Sequence, residues 1–192
     1  MGNTSGVIDE AVKLLGNVTG KRVLELGSDQ ATDAIALAGD GAHVIAIADG
    51  ADEYDRARRA IDEAEAKVEL HRGDLADLAF IRADTVDAAF SDAALRDVGD
   101  IDRVFRQVHR VLKTDAPLVV SLPHPSLELI DESADPALLI RRSYFDRTGN
   151  RRTVGDLFTS MVRASFAVDT LLEPESGTLP RTLVLRGRKL GN

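Results

Sequence analysis

The chain contains no cysteine, which excludes disulfides, cysteine–zinc sites and a thiol nucleophile. It lacks any apolar run long enough to span a bilayer. The longest uncharged stretch, residues 116–127, is far short of the roughly 20 residues a membrane helix needs. The opening residues MGNTSGVIDE show no basic segment followed by an apolar one, so no signal peptide is expected and the expected location is cytoplasmic. Internal repeats and low-complexity tracts are also missing. Cations are outnumbered: 24 Lys and Arg stand against 32 Asp and Glu, a net charge of −8. A chain acidic overall attracts nucleic acid poorly. The imbalance is uneven, because residues 141–192 hold 10 basic and 5 acidic side chains, a local net of +5.

What is present is a globular composition. Hydrophobic residues make up 44% of 192 residues, enough for one domain with a sizeable core. Short apolar runs alternate with helical patterns, the signature of βαβ units around a parallel sheet. A helical stripe spans 7–15. Strands are predicted at 22–26 (RVLEL), 42–48 (AHVIAIA), 68–71, 86–91 (VDAAFS) and 117–122 (PLVVSL). Helices are predicted at 32–38, 52–66 and 101–112. In the last of these Ile101, Val104, Phe105, Val108, Val111 and Leu112 share one face.

Residues 123–152 carry three prolines and many charges, and read as an excursion from the sheet with a short helix near 136–141. Thr153 and Asp156 have capping-box spacing ahead of an amphipathic helix. Strands at 166–172 and 182–188 follow without an intervening helix, so they should pair antiparallel at the sheet's edge. The expected fold is α/β: a doubly wound, mostly parallel sheet with an antiparallel C-terminal edge. The whole of 1–192 forms a single domain, in which 123–152 is an insertion or lid. Ligands of such sheets bind beyond the carboxyl ends of the strands. That places the candidate site at Gly27–Ala31, Asp49–Gly50, Asp74–Leu75, Ser91–Ala94 and Pro123–Ser126.

Taken in order, VLELGSDQATDAIALA, AHVIAIAD, RGDLADLAF, VDAAFSDAALRDV, RVFRQVHRVLK, VVSLPHPS and RTVGDLFTSMVRASFAVDTLLEPE resemble the class I S-adenosylmethionine-dependent methyltransferases, small bacterial ones in particular. The resemblance covers nearly the whole chain and implies a Rossmann-like fold, S-adenosylmethionine as cofactor and a small-molecule acceptor. The acidic charge argues against a nucleic-acid partner, the short apolar runs against a membrane, and His43, His71 and His109, without paired ligand spacing, against a metal, while homo-oligomerisation stays open. Such a donor needs a glycine for close backbone approach, a carboxylate for the ribose diol and a side chain that reads the adenine amino group. The cofactor-binding candidates are Glu25, Gly27, Ser28, Asp29, Asp49, Asp74, Leu75 and Ser91.

The first loop departs from the family's acid-x-Gly-x-Gly-x-Gly pattern. It reads Glu25-Leu26-Gly27-Ser28-Asp29-Gln30-Ala31 and keeps only the first glycine. The acid after the second strand falls at Asp49, one position beyond the family's place at Ala48. Asp74, in Gly73-Asp74-Leu75, matches the adenine-side acid. Each residue has a plainer role beside the ligand role. Gly27 would serve a tight turn, Asp29 or Thr32 would cap a helix, and Asp49 would cap the next one. Glu25 would orient the loop.

His124, between two prolines, is the candidate catalytic base and, with Tyr144, a substrate-binding candidate. Its plainer role is a histidine fixed in a rigid turn. Tyr144 would alternatively pack the excursion onto the core. The arginine pairs 141–142 and 151–152 read as solvated, or as a grip on an anionic acceptor. The altered glycine loop motivates a second reading, a non-catalytic methyltransferase-like protein acting as a binding or regulatory partner. A dinucleotide-dependent oxidoreductase is disfavoured, because Asp29 would repel a pyrophosphate at the helix start.

Overall fold

Apolar, β-branched runs become central strands, and the most buried segments of the chain are those runs. The computed structural model describes residues 10–130, 140–175 and 178–191. Strand β1 (Arg22–Leu26) lies in the middle of the five parallel strands, with its last four residues buried. It is followed by α1 (Thr32–Gly39), β2 (His43–Ala48), α2 (Ala51–Glu63) and β3 (Val68–Arg72). Then come β4 (Ala88–Asp92), α3 (Ile101–Val111), β5 (Pro117–Pro123) and α4 (Val154–Arg163). The chain closes with β6 (Phe166–Leu172) and β7 (Thr182–Lys189). The seven strands run in the order β3-β2-β1-β4-β5-β7-β6. Strands β1 to β5 are parallel, whereas β7 is antiparallel to both β5 and β6.

Each face of the sheet buries its own cluster. Leu24, Leu26, Ile45, Ile47 and Leu118 pack against Val104, Phe105 and Val108 of α3 and Leu157 and Met161 of α4. Val23, Val44, Ala46, Phe90 and Val119 pack on the opposite face against Ala34 and Leu37 of α1 and Ala57 and Ile61 of α2. Alternate residues of β1 thus feed opposite clusters, as the two-residue strand period requires. The reversal of order on either side of β1 opens a crevice above its carboxyl end.

Side-chain capping holds in two helices, as the sequence indicated for the second. Asp100 accepts from the Arg103 N–H at the start of α3. Thr153 and Asp156 form the reciprocal box that starts α4. It does not in α1 and α2. Their cap positions are Ala31, in a left-handed conformation, and Gly50, and neither makes a side-chain cap bond. Asp29, Thr32 and Asp49 are therefore not helix caps.

Other boundaries differ from expectation for local reasons. Helix α2 stops at Glu63 because Glu65 turns left-handed (φ 51°) to deliver the chain into β3. Strand β4 starts at Ala88, since Val86 makes an isolated bridge to Leu112 outside the main ladder. Of the predicted 7–15 helix, residues 10–13 are helical, and 7–9 lie outside the described residues. Most of the helix expected near 136–141 also lies outside them; Ile140 bridges to Ile130. The described part of 123–152 holds two short 3-10 turns, Pro125–Leu129 and Thr148–Asn150.

Candidate functional site

A cleft of about 320 Å³ lies over the carboxyl ends of β1, β2 and β4. Its lining comes from the segments that follow β1, β2, β3 and β4. Gly27 and Asp29 follow β1, Asp49 follows β2, Glu53 is in the first turn of α2, and Leu75 follows β3. Asp92, Ala93, Ala94, Asp97 and Val98 come from the end of β4 and the turn beyond it. Five of these ten side chains are carboxylates, and none is basic. Of the predicted residues, Gly27, Asp29, Asp49 and Leu75 come together here.

Gly27 is fixed by geometry as well as by the cleft. Its φ is +84°, and a Cβ built on it would stand 1.9 Å from the Ala94 Cβ. No side chain fits without moving the 3-10 turn Ala94–Arg96, which floors the cleft. Asp29 does not plug the crevice. Its Oδ1 pairs with Arg56 Nη2 at 2.5 Å, and both side chains stay about half exposed at the rim. The negative charge that replaces a bare glycine backbone is thus answered by a cation from α2.

Of the remaining carboxylates, Asp97 pairs with its chain neighbour Arg96, whereas Asp49, Glu53 and Asp92 meet no cation among the described residues. Burial raises the Asp49 carboxyl above its ordinary value, and Asp74 and Glu53 raise it further. Burial also raises Asp92, opposed by the Ser121 hydroxyl. Carboxylates that crowd one another favour a cation in their midst. Asp74 stands at the edge of this field. Its Oδ1 accepts from the Ala76 N–H at 2.7 Å, shaping the turn after β3.

Behind the cleft, Glu25 is buried, and its carboxyl is pushed up to about 8. Burial is the main cause, Asp33 and Asp92 add to it, and the Ser28 hydroxyl opposes it. Glu25 Oε2 and Ser28 Oγ are buried without a hydrogen bond of ordinary geometry. Ser91 is fully buried, and its hydroxyl donates to the Leu26 carbonyl at 2.9 Å. It holds the end of β1 against β4 and does not line the cleft.

His124 and Tyr144 lie apart from this cleft. The His124 Nδ1 accepts from the Ser126 N–H at 3.1 Å, so the proton sits on Nε2 and is donated to Glu173 at 2.8 Å. To act as a base through Nδ1, this ring would have to give up the bond from the Ser126 N–H, while the bond to Glu173 could stay. The Tyr144 hydroxyl accepts from the Val154 N–H at the start of α4, fastening the excursion there. The 151–152 arginine pair, expected in solvent, is engaged. Arg151 pairs with Glu128 and Asp146 at 2.8 and 2.9 Å. Arg152 donates to the carbonyls of Arg96, Val98, Gly99 and Asn150.

Sequence reasoning missed Glu53, Asp97 and Val98. Glu53 carried a usable signal, as an acid in the first turn of the helix entered from the β2 loop. Asp97 and Val98 had none, because a turn and not a periodic element presents them. Among the described residues no group of three metal-ligating side chains gathers, and no helix is long and apolar enough to cross a membrane.

Comparison with known proteins agrees with this architecture. A family profile described as "Methyltransferase domain" matches residues 24–120. A curated demethylmenaquinone methyltransferase from Clavibacter sepedonicus is 33% identical over 129 residues, which is 66% of this chain and 47% of that protein. The chain thus spans about half the length of the curated relative it matches. A solved S-adenosylmethionine-dependent methyltransferase from Mesorhizobium loti superposes with a TM-score of 0.78 at 24% identity, covering 94% of this chain and 96% of that one. A Listeria monocytogenes protein named as a candidate enzyme of the same kind gives 0.82 at 21% identity, covering 97% and 98%. At these identities the likeness speaks for the fold.

Proposed function

Since the chain belongs to the methyltransferase-domain family, we propose that it transfers a methyl group from S-adenosylmethionine to a small-molecule acceptor. The observation that carries the proposal is the cleft at the strand-order switch, lined by five carboxylates and no cation. When bound, S-adenosylmethionine supplies an electrophilic methyl on a positively charged sulfur. The residues present suit that ligand: the acidic lining favours the sulfonium, and the backbone at Gly27 approaches without a side chain. Asp49 would accept from the ribose hydroxyls, and Asp74 would take the adenine amino group at the outer edge. Leu75 offers an apolar wall for the purine. The excursion 123–152 would border the acceptor side.

Methyl transfer is an in-line displacement, in which the carbon–sulfur bond breaks as the acceptor–carbon bond forms. The chain's main contribution is therefore to hold two ligands in line and exclude water. A base is needed only if the acceptor must lose a proton. Titration calorimetry with S-adenosylmethionine and S-adenosylhomocysteine tests the reading. Micromolar binding to the wild-type chain is expected. Absence of heat at millimolar ligand would overturn it and leave a methyltransferase fold that serves as a binding partner.

A further inference from the structure

Next to the acidic cleft lies a second cavity of about 450 Å³ with the opposite charge. Among the described residues, Arg96, Arg141, Arg142 and Arg151 line it, against Asp97 and Glu128. Asp97 lines both cavities, so the two adjoin across the turn that follows β4. We propose that this arginine-lined cavity seats an anionic group of the methyl acceptor, a carboxylate or a phosphate. The proposal rests on the methyltransferase reading above and names the substrate class for its second compartment.

The four arginines are not equally spent. Arg151 is held between Glu128 and Asp146 and is largely neutralised. Arg96 pairs with its chain neighbour Asp97 at 3.2 Å, where both side chains are at least half exposed. Such a pair contributes little and is easily exchanged for a better anion. The side chains of Arg141 and Arg142 make no hydrogen bond among the described residues, although Arg142 feels the field of Asp146. Up to three guanidiniums thus face one concavity with donors to spare. Guanidinium forks bind carboxylate and phosphate oxygens in pairs.

A solvated surface would suffice to explain arginines scattered over a convex face. It does not explain four of them converging on one hollow in a chain of net charge −8, beside a compartment whose described lining holds no basic residue. Opposite charge in adjoining compartments sorts two ligands of opposite charge. The sulfonium is drawn to the acidic side and the acceptor's anion to the basic side, leaving the acceptor's neutral end at the boundary near Asp97.

The test uses the full chain and three proteins: wild type, the double variant R141Q/R142Q, and the exposed control R58Q on α2. Pyrophosphate and succinate are titrated calorimetrically in the presence of S-adenosylhomocysteine, which is also titrated alone. At least one anion should bind the wild type. Its affinity should fall about tenfold or more in the double variant and stay level in R58Q. Preference for pyrophosphate would mark a phosphate-bearing acceptor, and preference for succinate a carboxylate.

The proposal fails if neither anion binds, or if the double variant binds as the wild type does while melting at the same temperature. The two readings separate cleanly. Loss of S-adenosylhomocysteine binding alone would sink the donor assignment and leave the anion site standing. Normal S-adenosylhomocysteine binding without anion binding would do the reverse.

Discussion

The two cavities sit on scaffolds built by different forces. The acidic cleft rests on strand ends whose preceding residues are wholly buried, and on Leu75 and Leu95 beneath the loops. The arginine cavity is walled in part by the excursion, where no described residue from 125 to 152 is buried. That region is tied down by charge and hydrogen bonding: Arg152 on four carbonyls, Arg151 on two carboxylates, Tyr144 on the start of α4. Apolar burial is insensitive to salt, whereas exposed ion pairs are screened by it. The donor side should therefore be rigid and tolerant of buffer. The acceptor side should loosen with ionic strength, in keeping with a region that must admit a variable ligand.

The sharpest way to break the donor side is Gly27→Ala. The methyl would overlap Ala94 and force a side chain into a left-handed turn. We expect about 3–5 kcal/mol of lost stability, as overpacking and backbone strain add. Donor-product affinity should fall with it. Chemical denaturation measures the first and calorimetry the second. A variant as stable as wild type would show that the β4 turn yields, and that the donor side is softer than its burial suggests.

Glu25 offers a subtler break on the same side. Its carboxyl titrates near 8 when folded, against an ordinary value of 4.5, so the fold holds the proton that the unfolded chain releases. Its contribution to stability is therefore fully present below 4.5, falls as pH rises toward 8, and is level above that. Relative to Glu25→Gln, the wild type should lose on the order of 2–4 kcal/mol across that window. Parallel denaturation curves at pH 5 and pH 8 decide it. An unchanged difference between the two proteins would mean that the carboxyl finds a counter-charge or water.

On the acceptor side, Arg152→Gln should cost about 1 kcal/mol, because four carbonyls, that of Val98 half-buried and the others exposed, lose a charged donor. Limited proteolysis should then cut within 140–152 first. Cleavage elsewhere at the same rate would deny that this one guanidinium fastens the excursion.

What the sequence made legible follows the same division. Strand β1 was found to the residue, because an unbroken apolar run in a parallel sheet has only one place to go. The capping box at Thr153 was visible because its chemistry is local. The rim positions Gly27, Asp29, Asp49 and Leu75 followed from topology alone. Arg151 and Arg152 were misread because their partners lie in other segments: Glu128 for one, Val98 and Gly99 for the other. No periodicity announces those contacts. Ser91 and Glu25 lie at the right strand ends but behind the cleft, since a strand's alternation sends neighbours to opposite faces. His124 fell at the expected height on the sheet, but its ring is turned toward Glu173.

The smallest expected effect bears on the oddest residue. Asp29 stands where the related loop carries its second glycine, and a free carboxylate there would oppose the donor's own carboxylate. Arg56 removes most of that objection: the pair is close, the two charges cancel, and the side chains lean to the rim. A half-exposed ion pair contributes only about 0–1 kcal/mol, so Asp29→Gly should barely move the melting temperature. Its effect on S-adenosylhomocysteine affinity should likewise stay within about tenfold, or roughly 1.4 kcal/mol. Arg56→Gln is the informative companion. It leaves the carboxylate uncompensated, and should weaken donor binding more than removal of the carboxylate does. If Asp29→Gly instead created binding where the wild type has none, the loop would be a lost donor site and not a compensated one. The acidic rim would then be a remnant of methyl transfer, and the arginine cavity beside it the more promising place to look for a ligand.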